Sequence, residues 1–351
     1  MSSSLTIALA ALGGVVLAAV VAHGAWQARK VSPRRAAEPM PPRPPADTPR
    51  EMREPVLDPI TPVEPPTAAP QARPPRRPSA RLDALIDAIA PLTIEAPIAG
   101  DVVLMHLPTT RRAGSKPFLI EGLNASTGEW EAPAPGERYG EFQAGVQLAN
   151  RTGALNEIEY SEFVQKVEAF AEAIGAMADF PDMLDVVARA RELDAFAGEH
   201  DAQLAVHLQA RSAAWSVGYI QQHASRHGFV AGVVPGRLVL PSAEEGAPPV
   251  LTLTFDSQAA FADDPNRAAV RDVTLSFDVP QTDPAAEPFV AWQASAQALS
   301  LGMDAAIVDD HARPLSPQGF ASIGGELGAL YETLQARDLA AGSPAARRLF
   351  S

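Results

Sequence analysis

A proline-rich stretch limits which parts of this chain can fold. Residues 33–78 hold 16 of the 34 prolines, interleaved with Arg, Glu and Ala and almost without aromatic or branched apolar residues. Such a segment cannot bury enough apolar surface to offset the entropy lost on ordering. Because proline favours the polyproline II conformation, residues 33–78 would extend about 140 Å at ~3.1 Å per residue. We predict a semi-rigid linker over residues 29–80, with a docking site for proline-reading modules at PPRPP as the alternative.

An apolar segment precedes the linker. Residues 5–22 carry no charge, and this length is sufficient for a helix to cross a bilayer. We therefore predict a transmembrane anchor within residues 1–28, with the lipid bilayer as its partner. A cleaved signal peptide is the alternative, but the segment lacks a positively charged start. Under the positive-inside rule, the aromatic and basic residues that follow place the rest of the chain in the cytoplasm and the N-terminus on the other side of the membrane; these residues are Trp26, Arg29, Lys30, Arg34 and Arg35.

Charge and cysteine content exclude several classes of function. Residues 82–351 carry 17 basic and 36 acidic side chains, a net charge of −19, which disfavours nucleic-acid binding because that affinity comes mostly from neutralising phosphates. The chain has no cysteine, so disulfides, thiolate metal sites and cysteine nucleophiles are excluded.

Residues 81–340 read as two related α+β units. In the first, a strand at 141–150 and a loop precede a helix with apolar residues at helical spacing, and a second helix follows at 182–196. In the second, the strand VTLSFDVP and a loop precede a helix over 289–299, and the last helix covers 317–334. We expect antiparallel sheets with helices on one face, and unit boundaries at 81–198 and 199–340.

The second unit has a more detailed pattern. Four short strands are predicted before VTLSFDVP, a helix after the first of them, and a fifth short strand before the last helix. The four strands are predicted at 202–208, 229–234, 237–240 and 250–255, the helix at 213–227, and the fifth strand at 305–308. Residues 341–351 are predicted to be a disordered tail, with a partner-binding motif as the alternative.

Catalytic and metal-binding patterns are weak. His223 and His227 have the i, i+4 spacing of a zinc pair, but no Glu stands beside His223 as HExxH requires, so a solvated helix face is the preferred interpretation. Paired aspartates at 263–264 and 309–310 are typical of turns. Glycine-rich phosphate loops and a G-x-S-x-G elbow are both absent from the sequence. We predict neither an enzyme nor a cofactor, metal or small-molecule substrate.

The second unit resembles a known family. The segment DAAIVDDHARPLSPQGFASIGGELGALYETL is similar to the end of the FtsZ-binding domain of the ZipA cell-division proteins, and HGFVAGVVPGRLVLP, VLTLTF and VTLSFDVPQ are similar to its earlier strands. The resemblance covers residues 201–337, and the anchor and proline-rich linker are also typical of the family.

The resemblance implies a function and a site. A ZipA-like protein is a bacterial inner-membrane scaffold that tethers FtsZ by binding its C-terminal tail as a helix in a shallow groove on the sheet. The implied partner is therefore the FtsZ C-terminal peptide. The alternative is a module of the same fold that binds another division or envelope protein, since Thr and Ser stand where the family has large apolar residues. By position, the groove residues are Ala205, Val234, Thr252, Thr254, Thr274 and Ser276.

The role of the first unit has two interpretations. Either it supplies part of the partner site, or it only supports the second unit. Its strand places Gln143, Gly145 and Gln147 on the outward side, so it offers no more apolar a surface than the second unit does.

Overall fold

The computed structural model describes residues 81–260 and 269–351. The predicted anchor at 5–22 and the predicted linker at 29–80 lie outside this part of the chain. Within it, none of the helices is both long and apolar enough to cross a membrane.

The first half, residues 81–200, contains an antiparallel sheet with the strand order β2-β3-β5-β1-β8, and β4 pairs with β3. A separate two-stranded hairpin, β6-β7, follows β5. The strands are β1 (Asp87–Ala99), β2 (Arg112–Ala113), β3 (Lys116–Asn124), β4 (Trp130–Glu131), β5 (Arg138–Gln147), β6 (Ala149–Asn150), β7 (Gly153–Ala154) and β8 (Met177–Ala178), and the helices are α1 (Gly100–His106), α2 (Glu157–Ile174) and α3 (Met183–His200).

The second half is a six-stranded antiparallel sheet with the order β10-β11-β12-β13-β9-β14. Its strands are β9 (Gln203–Ala210), β10 (Val230–Ala231), β11 (Arg237–Leu240), β12 (Leu251–Thr254), β13 (Asp272–Asp278) and β14 (Ala305–Val308). Its helices are α4 (Val217–Ser225), α5 (Ser257–Ala260), α6 (Pro288–Met303) and α7 (Pro317–Gln335), and the chain ends with α8 (Pro344–Leu349).

The two halves share one topology. The central strands run β3-β5-β1-β8 in the first sheet and β12-β13-β9-β14 in the second, and each strand holds the same place along the chain relative to the helices. The expected α+β architecture of antiparallel sheets with helices is confirmed.

Local sequence determines where the main helices begin. Asn156 caps α2 through a complete capping box with Glu159, as expected when Asn is followed three residues later by Glu. Ser316 caps α7 and Pro317 occupies its first turn, positions that these two residue types favour. The helix predicted at 213–227 is shorter, because α4 covers Val217–Ser225. His227 therefore lies beyond the helix, and the predicted helical pair with His223 is wrong.

Each sheet buries one face against helices. In the first half, the apolar stripe of α2, including Phe163, Val167 and Phe170, packs in one cluster with Phe118 and Phe142 of the sheet. In the second half, the cluster includes the fully buried tryptophans Trp215 and Trp292. The indole N–H of Trp292 donates to the carbonyl of Leu275 over 2.9 Å, so its polar atom is satisfied inside the core.

The C-terminal residues are ordered, which corrects the predicted disordered tail. Ser343 caps α8, and Leu349 and Phe350 are buried in a third cluster with Ile86 and Phe196 of the first half. The small and apolar residues of this segment pack in the contact between the halves. Their order depends on residues that are distant in the sequence, so the segment alone does not indicate it.

Two adjacent arginines connect this segment to both halves. The Arg348 guanidinium pairs with the Asp87 carboxylate of the first half, and Arg347 pairs with Glu244 of the second. The backbone of Phe350 also accepts a hydrogen bond from the Gln281 side chain. Residues 341–351 therefore hold the two sheets together.

Candidate functional site

The second sheet has two chemically different faces. Val273, Leu275 and Phe277 of β13 are buried among the helices, as their alternation predicts. Thr274 and Ser276 therefore belong to the opposite, outer face. A strand with this pattern places a row of hydroxyl groups on the side away from the helices.

Strand register brings five of the six predicted groove residues into two rows, whereas Val234 lies in the segment between β10 and β11, because the strand predicted at 229–234 covers only Val230–Ala231. Ser276 of β13 pairs with Ala205 of β9 on one side and Thr252 of β12 on the other. In the next row of outward-facing residues, two positions along each strand, Thr274 pairs with Thr254. Cross-strand partners lie about 4.5–5.5 Å apart, so these side chains form one continuous floor.

A shallow cleft of about 430 Å³ lies over this floor. All six residues predicted from the sequence line it, and none of its lining residues belongs to a described helix. The cleft is also lined by five residues that the sequence did not point to, namely Gln203, Pro235, Gly236, Arg237 and Phe255.

The floor is polar and tightly packed. Thr252 is 8% exposed and Ser276 is 5% exposed, so both present little surface to a ligand. Apolar surface comes instead from the segment between β10 and β11, where Val233 is fully exposed and Val234 is 55% exposed. A ligand would therefore find its apolar contacts along one wall of the cleft.

One end of the outer face carries an arginine. The Arg237 guanidinium donates a hydrogen bond from Nη2 to Oγ1 of Thr252 over 3.2 Å, which directs it toward the floor of the cleft. Among the described residues, no carboxylate forms an ion pair with it. Its remaining N–H groups match the geometry of a carboxylate.

On the same outer face, β9 carries a histidine that lies between two carboxylates. His207 of β9 contacts Asp272 through Nδ1 and Asp310 through Nε2, each over 3.0 Å, and Thr274 Oγ1 lies 3.2 Å from Nδ1. Partial burial lowers the pKa of His207, but the hydrogen bonds to Asp272 and Asp310 outweigh it, and the pKa is raised. With two carboxylates and one imidazole, this group is negative in either protonation state of His207.

The equivalent face of the first sheet is covered by the chain itself. Gly145 of β5 corresponds to Ser276, and a Cβ on Gly145 would lie 2.5 Å from the Leu82 side chain. The Leu82 N–H donates to the buried carboxylate of Glu121, which also accepts from Gln143. The residues just before β1 thus occupy the position that is open in the second sheet.

The C-terminal segment covers the end of that face at Gln147. The Gln147 side chain is buried and donates to the carbonyls of Ala149 and Arg348. The outward positions predicted for Gln143, Gly145 and Gln147 are consistent with the strand, but they face the chain's own ends. The first sheet offers no comparable open cleft at these positions.

A second depression, of about 320 Å³, lies where the halves meet beside the C-terminus. Its most prominent charged group, Arg151, already pairs with Asp201 and Asp278. Burial raises the pKa of the Asp278 carboxyl, and the hydrogen bond from Arg151 opposes this change. We interpret this site as part of the contact between the halves.

In residues 81–260 and 269–351, no group of three His, Cys, Asp or Glu side chains is arranged so that it could hold a metal ion. Asp309 is engaged locally, since its carboxylate accepts hydrogen bonds from the backbone and side chain of Arg313. The predicted turn pair at 263–264 lies outside the described residues.

No protein-family model and no curated protein matches the chain. The resemblance of residues 201–337 to the ZipA family therefore stays a prediction from the sequence.

Proposed function

We propose that this protein is a ZipA-like, membrane-anchored division scaffold that binds the C-terminal tail of FtsZ in the outer-face cleft of the second sheet. The observation that carries the proposal is the convergence of all six groove residues on one cleft without a helical cover. The order of elements in the second half, with short β14 before a Ser-Pro helix start, supports the same family. The sequence of residues 5–22 supplies the anchor of this proposal.

The polar floor determines how such a tail would bind. Full burial of a large apolar side chain contributes roughly 1.5–3 kcal/mol, and threonine or serine floor residues provide much less. The apolar residues that line the cleft include Val234, Pro235 and Phe255, and the exposed Val233 precedes Val234 in the chain. We therefore propose that the tail packs its apolar side against the β10–β11 wall.

Binding to intact and truncated FtsZ tests this proposal. Full-length protein in mild detergent is expected to co-sediment with FtsZ polymers and to lose this binding when the FtsZ C-terminal tail is removed. Equal binding to both forms, or binding to neither, would contradict it.

A matched pair of variants tests the place of binding. Thr274→Arg puts a large cation into the cleft, whereas Thr93→Arg makes the same change at an exposed position of β1 in the first sheet. We expect only the first to weaken binding to the tail, with circular dichroism confirming that both variants fold.

The polar floor favours one alternative, a module of the same fold that binds another division or envelope protein. The full-length chain would be purified from membranes that contain no FtsZ. Recovery of a different division protein with the wild-type chain, and its loss with Thr274→Arg, would support this alternative over the first proposal.

A further inference from the structure

The outer face of the second sheet carries a positive group on β11 and a negative group around β9. Arg237 stands on β11, whereas Asp272 and Asp310 flank His207 of β9 on the other side. The order β11-β12-β13-β9 separates Arg237 from His207 by three strand spacings, which amounts to about 14 Å at 4.7–4.9 Å each. Arg237 lines the cleft, and His207 is the cross-strand partner of Thr274, which also lines it.

Each charged group is held in place. The hydrogen bond to Thr252 directs Arg237 toward the floor, and the imidazole of His207 bridges the two aspartates beside β9. Asp310 is mostly exposed and Asp272 is about half exposed, so both carboxylates can be reached by a ligand. Fixed charges of opposite sign favour one orientation of a ligand over the reverse one.

We propose that the cleft selects a peptide with an acidic residue at one end and a basic residue at the other, and that Arg237 receives the acidic residue while Asp272 and Asp310 receive the basic one. This inference rests on the proposed function in using the same cleft, and it adds the charge pattern and direction of the ligand. A separation of about 14 Å corresponds to about nine residues of helix at 1.5 Å per residue, or about four residues of extended chain.

The first sheet provides an internal comparison. Its equivalent face is covered by the segment that contains Leu82, whose backbone N–H donates a hydrogen bond to the Glu121 carboxylate. Thr254 holds the place of Glu121 in the second sheet. The covered face thus holds a carboxylate of its own, whereas the open cleft presents a cation without a described carboxylate partner.

Selection from a random peptide display library tests the charge pattern without assuming an identity for the partner. The probe is the full-length protein in mild detergent, and the variants are Arg237→Glu and Arg226→Glu. Arg226 is exposed at the end of α4, whose helix packs on the opposite face of the sheet, so it controls for a change in net charge.

We expect the wild-type protein and Arg226→Glu to enrich peptides with an acidic and a basic residue at a constant separation. Arg237→Glu is expected to lose affinity for these peptides by at least tenfold and to enrich peptides with a basic residue in place of the acidic one. Combining Asp272→Lys with Asp310→Lys is expected to exchange the preference at the other end.

Two results would overturn the inference. In the first, the wild type and Arg237→Glu enrich the same peptides and bind them with equal affinity. In the second, the wild type enriches no peptides with charged residues. Failure of FtsZ binding together with the expected switch in charge preference would instead contradict only the proposed partner. The two claims therefore fail separately.

Discussion

The ion pair between Arg348 and Asp87 gives a quantitative test of the role of the C-terminus. The Asp87 side chain is fully buried and that of Arg348 is 15% exposed. Nη1 and Nη2 of the guanidinium reach the two carboxylate oxygens over 2.7 and 2.5 Å, and Nη1 also donates to the carbonyl of Arg81. This is the bidentate geometry in which arginine binds carboxylates most strongly.

Replacement of Arg348 by Met keeps most of the apolar stem and removes the charge. Among the described residues, only the backbone N–H of Asp83 would then remain as a donor to the buried Asp87 carboxylate. Breaking a buried pair in this way costs about 3–5 kcal/mol, because the remaining carboxylate is desolvated without compensation. We expect Arg348→Met to lower the free energy of unfolding by this amount.

Urea denaturation followed by circular dichroism measures the change, and a double-mutant cycle with Asp87→Asn isolates the pair. Arg313→Met is the control, because Arg313 is 72% exposed and its pair with Asp309 lies at the surface, where ion pairs contribute little. A loss for Arg348→Met no larger than that of Arg313→Met would refute the assigned role of the C-terminal segment.

Three further changes have defined outcomes. Leu349→Ala should lower the free energy of unfolding by about 2–5 kcal/mol in urea, because the side chain is fully buried; no loss would mean that the segment is not packed. Trp292→Phe should cost about 1–3 kcal/mol, since the carbonyl of Leu275 loses a hydrogen bond inside the core, and an unchanged denaturation midpoint would contradict this. The raised pKa of His207 means that its stabilising pairs with Asp272 and Asp310 are fully present below about pH 6.5 and are lost as pH rises through the folded-state value. His207→Gln should remove this pH dependence of stability, and an identical pH profile in the variant would exclude it.

Much of the second half could be predicted from sequence because its local signals agree. The alternation of Val273, Leu275 and Phe277 predicts which face is buried, and Ser316 followed by Pro317 marks a helix start. The six positions that the family resemblance implies for a groove all line one cleft, five of them on strands and Val234 in the segment between β10 and β11.

The remaining features depend on contacts between distant residues. The burial of Arg348 requires Asp87, which lies 261 residues earlier, and no local pattern in the polar C-terminal sequence indicates that pairing. Likewise, β1 contains two prolines and its pairing shifts between Thr93 and Ile98, so it lacks a regular period-2 signal. The position of Arg237 beside the cleft could be found only from the register of β11 and β12.

Site-directed photo-crosslinking in cells tests the central claim that the second sheet, and not the first, receives the partner. A benzoylphenylalanine placed at Val234 reports on the cleft, and one at Leu119 reports on the outer side of the first sheet beside Gly145. We predict a crosslinked FtsZ adduct from position 234 that disappears when the FtsZ tail is deleted, and no adduct from position 119. An adduct from position 119 alone, or adducts at both positions that persist without the tail, would contradict the account.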